Sequence, residues 1–264
     1  MENFDTVNLA LCEGERLDRV NDGVSLIQRK NGLTFGTDAL LLAGYIDRCN
    51  ARALEIGGGT GIISLLLLAR DKLKTVDVCE VQEVFAELSR KNASINGFED
   101  RMHVIHADVR ELPKKAQYGV IFTNPPYMKN EGGKACDTDE KNVARHEVFG
   151  NIGDFLLAAR GLLKYGGKLY AVYRPDRLAD LIAAMRGVGI EPKRMTFVHA
   201  DIMHEPSMVL VEGRLGGGDG LKLTRPLIIN GSDGESDDFK YIMENGSFPE
   251  DFYIGNRGRK NGCN

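Results

Sequence analysis

The sequence predicts an α/β protein with a seven-stranded, mostly parallel sheet, helices on both faces and an antiparallel hairpin at its C-terminal end. From residue 51 onward, short apolar runs alternate with longer runs that have the apolar spacing of helices. Such alternation is typical of β-α-β units. Only residues 200–207 separate the last two strand-like runs, which is too short for a helical crossover but long enough for a hairpin.

The individual elements follow from apolar runs, helical spacing and turn residues. The helix over 152–164 is predicted to end at Tyr165-Gly166-Gly167, because glycine readily adopts the left-handed conformation found after helix ends. The predicted helices cover residues 62–70, 81–96, 152–164 and 176–186, and the predicted strands cover residues 51–56, 75–80, 103–108, 118–123, 168–173, 194–199 and 208–212.

The segments on either side of this core differ from it in composition. Residues 1–50 are predicted to be a short N-terminal extension that packs on the core, with a strand over 24–28 and a helix over 38–45. The core domain is predicted to cover residues 51–213. The tail over 214–264 contains an apolar triplet, Leu227–Ile229, that suits a last short strand, but it is otherwise rich in small polar residues. We therefore expect this tail to be partly disordered.

Composition excludes several classes of protein. The chain has 264 residues, of which 42% are hydrophobic and 27% charged, as in ordinary soluble globular proteins. Its longest apolar run, over 62–69, is far shorter than the roughly 20 residues of a membrane span. The five cysteines form no CxxC pair, which favours free thiols in the cytoplasm and no metal centre. Residues 231–264 carry seven acidic and four basic side chains, so the net charge of −4 lies mostly there and an RNA partner stays open.

A glycine-rich loop follows the first strand of the core. Gly57, Gly59 and Gly61 follow Glu55 with GxGxG spacing. The dinucleotide fingerprint GxGxxG would require glycine at position 62, which is Ile62, so the loop favours a ligand other than a nicotinamide cofactor. Glycines let a ligand approach the backbone, and the helix that follows presents free N–H groups.

Two acidic residues end the next two predicted strands. Glu80 and Asp108 are expected beside the glycine loop, because ligands of open α/β sheets lie beyond the carboxyl ends of the strands. Together these features resemble class I S-adenosylmethionine-dependent methyltransferases, which have a Rossmann-like fold. The resemblance implies that Glu80 holds the ribose, that Asp108 neighbours the adenine, and that S-adenosyl-L-methionine is the cofactor. It also places Glu55, Gly57, Gly59, Gly61 and Asn124 among the cofactor-binding residues.

The fourth strand of the core runs into Asn124-Pro125-Pro126-Tyr127. Two successive prolines stiffen the backbone and leave two residues without N–H donors. The motif resembles that of enzymes that methylate a planar, conjugated nitrogen. In this interpretation the Asn124 side-chain oxygen and the Pro125 carbonyl accept the two hydrogens of the amino group, and the Tyr127 ring stacks on the base.

Other segments extend the resemblance over residues 20–213. They are Phe35–Ala43 ahead of the glycine loop, Arg145-His146-Glu147 after the proline motif, and Pro192–His199 before the final hairpin. In this order they resemble the bacterial tRNA (adenine-N6)-methyltransferases that modify valine tRNA next to the anticodon. The resemblance implies an enzyme that transfers a methyl group to the N6 amino group of an adenine in tRNA.

The long polar segment after Tyr127 is predicted to be a substrate loop. Lys129 and Arg145 are candidate substrate-binding residues, although Arg145 equally suits a solvent-exposed approach to a helix. Two alternative functions stay open. One is a protein-(glutamine-N5) methyltransferase acting on release factors, whose family shares the four-residue motif. The other is a catalytically silent RNA-binding module. We expect a monomer without a membrane or an obligate protein partner.

Overall fold

The computed structural model describes residues 11–20, 23–30, 35–125 and 152–253. Its helices are α1 (Thr37–Tyr45), α2 (Ile62–Ala69), α3 (Glu83–Ile95), α4 (Ile152–Leu162), α5 (Leu178–Gly187) and α6 (Asp237–Asn245). Its strands are β1 (Glu15–Arg19), β2 (Ser25–Arg29), β3 (Ala53–Ile56), β4 (Val76–Glu80), β5 (Met102–His106), β6 (Tyr118–Thr123), β7 (Leu163–Tyr173), β8 (Ile190–His199), β9 (Pro206–Leu215), β10 (Lys222–Leu223), β11 (Leu227–Ile228), β12 (Asn230–Gly231) and β13 (Gly234–Glu235).

The central sheet has the order β10-β8-β9-β7-β6-β3-β4-β5, and β11 also pairs with β8. Strands β7, β6, β3, β4 and β5 pair in parallel. Strand β9 lies between β7 and β8 and is antiparallel to both. The predicted α/β fold and its C-terminal hairpin are therefore confirmed. The two-residue strands β10 and β11 extend the predicted seven strands at one edge.

Two apolar cores lie on opposite faces of this sheet. One contains residues of α1, α2 and α6, and the other contains residues of α4 and α5. Strand β3 shows the division, because Ala53 belongs to the first core while Leu54 and Ile56 belong to the second. This alternation is what a strand buried on both faces requires. No helix in the described ranges is long and apolar enough to span a membrane.

The boundary between α4 and β7 differs from the prediction. The helix ends at Leu162 and the strand begins at Leu163, so there is no separate turn over 165–167. The pairing of β6 with β7 shifts register between Tyr118 and Val120, and Gly166 has a φ of +78°. The glycine thus serves an irregularity in the strand rather than the end of the helix.

Strands β1 and β2 form an antiparallel hairpin, and β2 lies beside α3. Two asparagines attach it: Asn92 in α3 and Asn96, which directly follows the last residue of α3. The Asn92 carboxamide accepts from the Ile27 N–H at 2.7 Å and donates to the Ile27 carbonyl at 3.1 Å. The Asn96 carboxamide makes the same pair of bonds with Ser25, at 2.9 and 2.7 Å. These side chains satisfy backbone groups of β2 in place of a neighbouring strand.

Residues 222–253 lie in the segment that composition suggested would be partly disordered, yet they form strands and a helix. Ser236 caps the N-terminus of α6 by accepting from the Phe239 N–H at 3.2 Å, and Gly246 ends the helix with a φ of +56°. Phe239 and Ile242 are buried against the core. The overall polar composition of this segment did not predict the helix, because only one face of the helix is apolar.

Candidate active site

The glycine loop follows β3 at the carboxyl edge of the sheet. Gly57, Gly59 and Gly61 have φ values of +69°, +55° and +80°, which side chains with a Cβ rarely adopt. A Cβ built at Gly57 or Gly59 would meet no atom within 4 Å, whereas one at Gly58 would lie 2.1 Å from Val78 Cγ1. Gly57 and Gly59 therefore border open space where a ligand can reach the backbone. Gly58 lies between them and allows the loop to pack on β4.

Glu80 connects the end of β4 to this loop. Its carboxylate accepts from the Gly59 N–H at 2.9 Å and from the Gln82 N–H at 2.9 Å, and the residue is only 4% exposed. The acid that sequence reasoning assigned to the ribose thus lies directly beside the glycine that borders the open space. Each carboxylate oxygen has further acceptor capacity, which suits a ligand hydroxyl.

Glu55 lies beneath the loop and is 1% exposed. Its carboxyl group contacts both the backbone N–H and the hydroxyl of Ser64 at the start of α2. Burial raises the pKa of the Glu55 carboxyl to about 8, assisted by the nearby negative charge of Glu80 and opposed by the Ser64 hydrogen bonds. In the structure Glu55 therefore joins β3 to α2, and its predicted contact with the cofactor stays a prediction.

Asp108 lies just beyond β5 at the same edge. It caps the short 3-10 helix Val109–Glu111 by accepting from the Arg110 N–H at 2.9 Å. The Arg110 side chain also pairs with the Asp108 carboxylate and lowers its pKa, against a smaller effect of burial. Asp108 thus holds a negative charge at the rim of the site, where a ligand amino group could bind it.

Asn124 immediately follows β6, whose last residue Thr123 donates its hydroxyl to the Ile56 carbonyl at 2.9 Å. This bond aligns the end of β6 with the start of the glycine loop. The Asn124 Nδ2 donates to Asp38 Oδ2 at 2.8 Å, and Pro125 is buried. The other residues predicted for substrate binding and chemistry, namely Pro126, Tyr127, Lys129 and Arg145, lie outside the described residues.

Sequence reasoning did not single out Asp38 as a member of this site. Asp38 lies in the first turn of α1 and lines a cavity of about 290 Å³ together with Thr37, Arg174, Ser207 and Met208. The cavity lies between the start of α1, the end of β7 and the start of β9. The only signal in the sequence was its position within the Phe35–Ala43 segment, which does not say what the carboxylate contacts.

The arrangement suits a nucleoside-like ligand with its polar groups held at adjacent strand ends. Gly57 and Gly59 follow β3, the buried Glu80 ends β4, and the rim carboxylate of Asp108 follows β5, so these groups lie at the ends of neighbouring parallel strands. A family model described as the methyltransferase small domain matches residues 30–181. The chain belongs to the methyltransferase small domain family. Membership confirms the predicted enzyme class, a methyltransferase with S-adenosylmethionine as methyl donor.

Individual relatives of this methyltransferase agree with the sequence resemblance. It is 29% identical over 177 residues to a protein from Phocaeicola vulgatus named tRNA1(Val) (adenine(37)-N6)-methyltransferase, covering 67% of this chain and 74% of the relative. It is 27% identical over 210 residues to a protein of the same name from Aliivibrio fischeri, covering 79% and 88%. These matches confirm the predicted family resemblance.

A solved structure supports the fold of the methyltransferase. A crystal structure of a protein described as a predicted O-methyltransferase from Agrobacterium tumefaciens matches with a TM-score of 0.64 and 25% identity, covering 79% of this chain and 96% of that one. The fold of this chain is therefore a known methyltransferase fold.

Proposed function

We propose that this methyltransferase transfers a methyl group from S-adenosylmethionine to the exocyclic N6 of an adenine in tRNA, next to the anticodon of valine tRNA. The observation that carries the proposal is the position of Asn124, at the end of β6 and beside the glycine loop, with its Nδ2 engaged by Asp38. Two relatives named for this reaction support the choice of substrate.

The proposed chemistry requires little proton transfer by the protein. S-adenosylmethionine supplies an electrophilic methyl group on its sulfonium sulfur. Asn124 Oδ1 and the Pro125 carbonyl accept the two hydrogens of the adenine amino group, which orients the nitrogen lone pair and stabilises its developing positive charge. With both substrates bound, the new N–C bond would form as the C–S bond of the donor breaks, and the surplus proton on the nitrogen would leave to solvent afterwards.

The remaining predicted residues act on the substrate. Pro126 stiffens the motif, and the Tyr127 ring stacks on the adenine, a contact worth about 1–3 kcal/mol in single-strand binders. Lys129 and Arg145 bind phosphates of the anticodon loop. An unpaired loop suits this site, because its bases can be extracted at low cost.

The cofactor is held by the glycine loop and its acids. Gly57 and Gly59 allow the cofactor to approach the backbone closely, and Gly61 directly precedes α2 with a left-handed backbone conformation. Glu80 would accept from the ribose hydroxyls of the cofactor and Asp108 from its adenine amino group, and Asn124 would border the cofactor site at the end of β6. Glu55 supports the loop from below. We further propose that the enzyme is a monomer and that it works in the cytoplasm. The free thiols of Cys12, Cys49 and Cys79 support the second of these proposals, because free thiols are typical of a reducing compartment.

Methyl transfer from labelled S-adenosylmethionine tests the substrate directly. Total tRNA, ribosomal RNA and release factor are incubated in parallel, and the products are digested to nucleosides or amino acids. We expect N6-methyladenosine in tRNA only. Label in release factor would replace the proposal with glutamine methylation, and label in no acceptor despite cofactor binding would favour a silent RNA-binding module.

The Asn124→Ala variant tests the motif in the same assay. Loss of one acceptor for the developing charge is expected to lower kcat by about 100- to 1,000-fold, in line with the removal of a single group that stabilises a transition state. The affinity for S-adenosylmethionine should change less than about threefold. A variant that methylates tRNA normally would contradict the role of the motif.

A further inference from the structure

Asp38 and Asn124 come from parts of the chain that the sequence does not connect. Asp38 lies in the first turn of α1 within the N-terminal extension, and Asn124 follows β6 in the core. Their side chains meet at 2.8 Å, with Asn124 Nδ2 as donor and Asp38 Oδ2 as acceptor. The contact therefore links the extension directly to the motif that carries the proposed chemistry.

The chemistry of the two groups determines how the amide is turned. A carboxamide rotated by 180° exchanges its oxygen and nitrogen with almost no change in shape. An ionised carboxylate only accepts hydrogen bonds, so it must face the Asn124 NH₂ group. The oxygen is then on the branch of the amide that points away from Asp38. In the reversed orientation the amide would offer hydrogens to an amino substrate that needs an acceptor.

We propose that Asp38 is a positioning residue that fixes which edge of the Asn124 carboxamide meets the substrate nitrogen. The proposal rests on the proposed function, because it concerns the same site and an amino nitrogen as the methyl acceptor. Asp38 acts through Asn124 and need not contact the substrate itself. Its contribution is to keep the acceptor oxygen oriented before the substrate arrives, which lowers the cost of reaching the reactive geometry.

Gly36 explains how Asp38 reaches this position. The residue precedes α1 with extended backbone angles, φ −107° and ψ 179°, so no unusual conformation requires glycine. A Cβ at Gly36 would nevertheless lie 2.6 Å from Asp38 Oδ1. The carboxylate thus lies against the bare backbone of Gly36, and a methyl group there would push it from its place beside Asn124.

Steady-state kinetics of Asp38→Ala provide the first test. We expect kcat to fall about 10- to 100-fold, the size expected from one lost charge-assisted hydrogen bond. The KM for the acceptor and the Kd for S-adenosylmethionine should stay within about threefold. Asp38→Asn should fall between the wild type and Asp38→Ala, because an amide partner accepts in one orientation and donates in the other. A cofactor Kd that rises in step with the loss of kcat would overturn the proposal.

Asp180→Ala is the matched control. Asp180 also lies in the first turn of a helix, α5, where it pairs with Arg177 at 2.5 Å. Its removal withdraws a negative charge from a helix N-terminus without touching the Asn124 site. Equal losses of kcat in both variants would show a general effect of helix stability and overturn the proposal.

A double-mutant cycle separates positioning from an independent role. In the Asn124→Ala background, Asp38→Ala should lower the remaining single-turnover rate by less than about twofold, because the group that it positions is gone. Gly36→Ala should reproduce the kcat loss of Asp38→Ala with both functional side chains present. A full additional loss in the double variant would overturn the proposal.

An NMR measurement distinguishes failure of this proposal from failure of the proposed function. The side-chain amide signal of Asn124, assigned by its disappearance in Asn124→Ala, should shift in Asp38→Ala and stay unchanged in Asp180→Ala. This readout needs no substrate. If the signal shifts but tRNA is not methylated, the contact between Asp38 and Asn124 exists and tRNA is not the methyl acceptor. If the signal does not change, the contact does not exist, whatever the enzyme methylates.

Discussion

At the residue scale, the strand-end carboxylates show how single positions acquire their roles. Glu80 and Asp108 occupy similar places in the sequence, each near the end of a core strand. In the structure Glu80 is buried and bonded to the glycine loop, whereas Asp108 is partly exposed and paired with Arg110. Glu80 therefore supports the glycine loop directly, whereas Asp108 bonds to Arg110 instead. Their similar positions near strand ends in the sequence do not show this difference.

Removal of the Glu80 carboxylate is expected to weaken cofactor binding. Glu80→Ala leaves the Gly59 and Gln82 N–H groups without their acceptor and removes the proposed ribose contact. The Kd for S-adenosylmethionine, measured by isothermal titration calorimetry, should rise at least tenfold, because each hydrogen bond to a charged group contributes about 1.5–3 kcal/mol. The kcat at saturating cofactor should change less than about threefold.

Glu83→Ala is the control for this measurement. Glu83 is an exposed acid in the first turn of α3, three residues further along the chain. Its removal changes the local charge equally but leaves the loop contacts in place. If both variants lost the same affinity, general electrostatic attraction would account for the effect and the specific role of Glu80 would be wrong.

At the element scale, α6 shows that a polar segment can complete the apolar core. Phe239 and Ile242 lie on its buried face, and Ile242 contacts the region around Gly44 of α1, since a Cβ at Gly44 would be 3.1 Å from Ile242 Cγ2. The helix therefore covers α1, the element that carries Asp38.

Ile242→Ala is expected to destabilise the fold by about 2–5 kcal/mol, the usual cost of an aliphatic side chain removed from a core. Urea unfolding followed by circular dichroism would measure the change in the free energy of unfolding. Tyr241→Ala on the same helix is the control, because Tyr241 is 42% exposed and should change that free energy by less than about 1 kcal/mol. Similar values for the two variants would show that α6 does not pack as described.

At the scale of the whole molecule, buried ionisable groups make stability depend on pH. Glu55 has a pKa of about 8 in the folded protein against a usual value of 4.5. Between these values the folded protein keeps a proton that the unfolded chain releases. The stabilising contribution is therefore complete below pH 4.5 and is lost as pH rises through 8.

Glu55→Gln should remove this dependence, because an amide does not titrate. We expect the free energy of unfolding of the wild type to fall relative to the variant by on the order of a few kcal/mol between pH 5 and pH 8.5, measured by urea unfolding. Burial lowers the pKa of Lys72 to about 7. Above pH 7 the unfolded chain binds a proton that the folded protein does not, so the contribution of Lys72 to the free energy of unfolding rises with pH. Because Lys72 is present in both proteins, the difference between their free energies of unfolding reports on Glu55 alone. A difference that does not change with pH would contradict the prediction.

The sequence by itself determined the alternation of strands and helices, the glycine loop, the strand-end acids and the proline motif. These features are local, because they depend on apolar spacing, on backbone freedom at glycine and proline, and on where short strands end. The same local patterns carried the family resemblance, which the relatives confirm.

Only the tertiary structure decided which side chains meet. The contact between Asp38 and Asn124 joins residues 86 positions apart. The hydrogen bond from the Ile27 N–H of β2 to the Asn92 side chain joins residues 65 positions apart. The burial of Glu55 and the packing of α6 likewise depend on what surrounds each group after folding. Sequence periodicity shows which face of an element is apolar, but partner, distance and burial arise from packing between distant segments, and these set the hydrogen bonds and pKa values of the site.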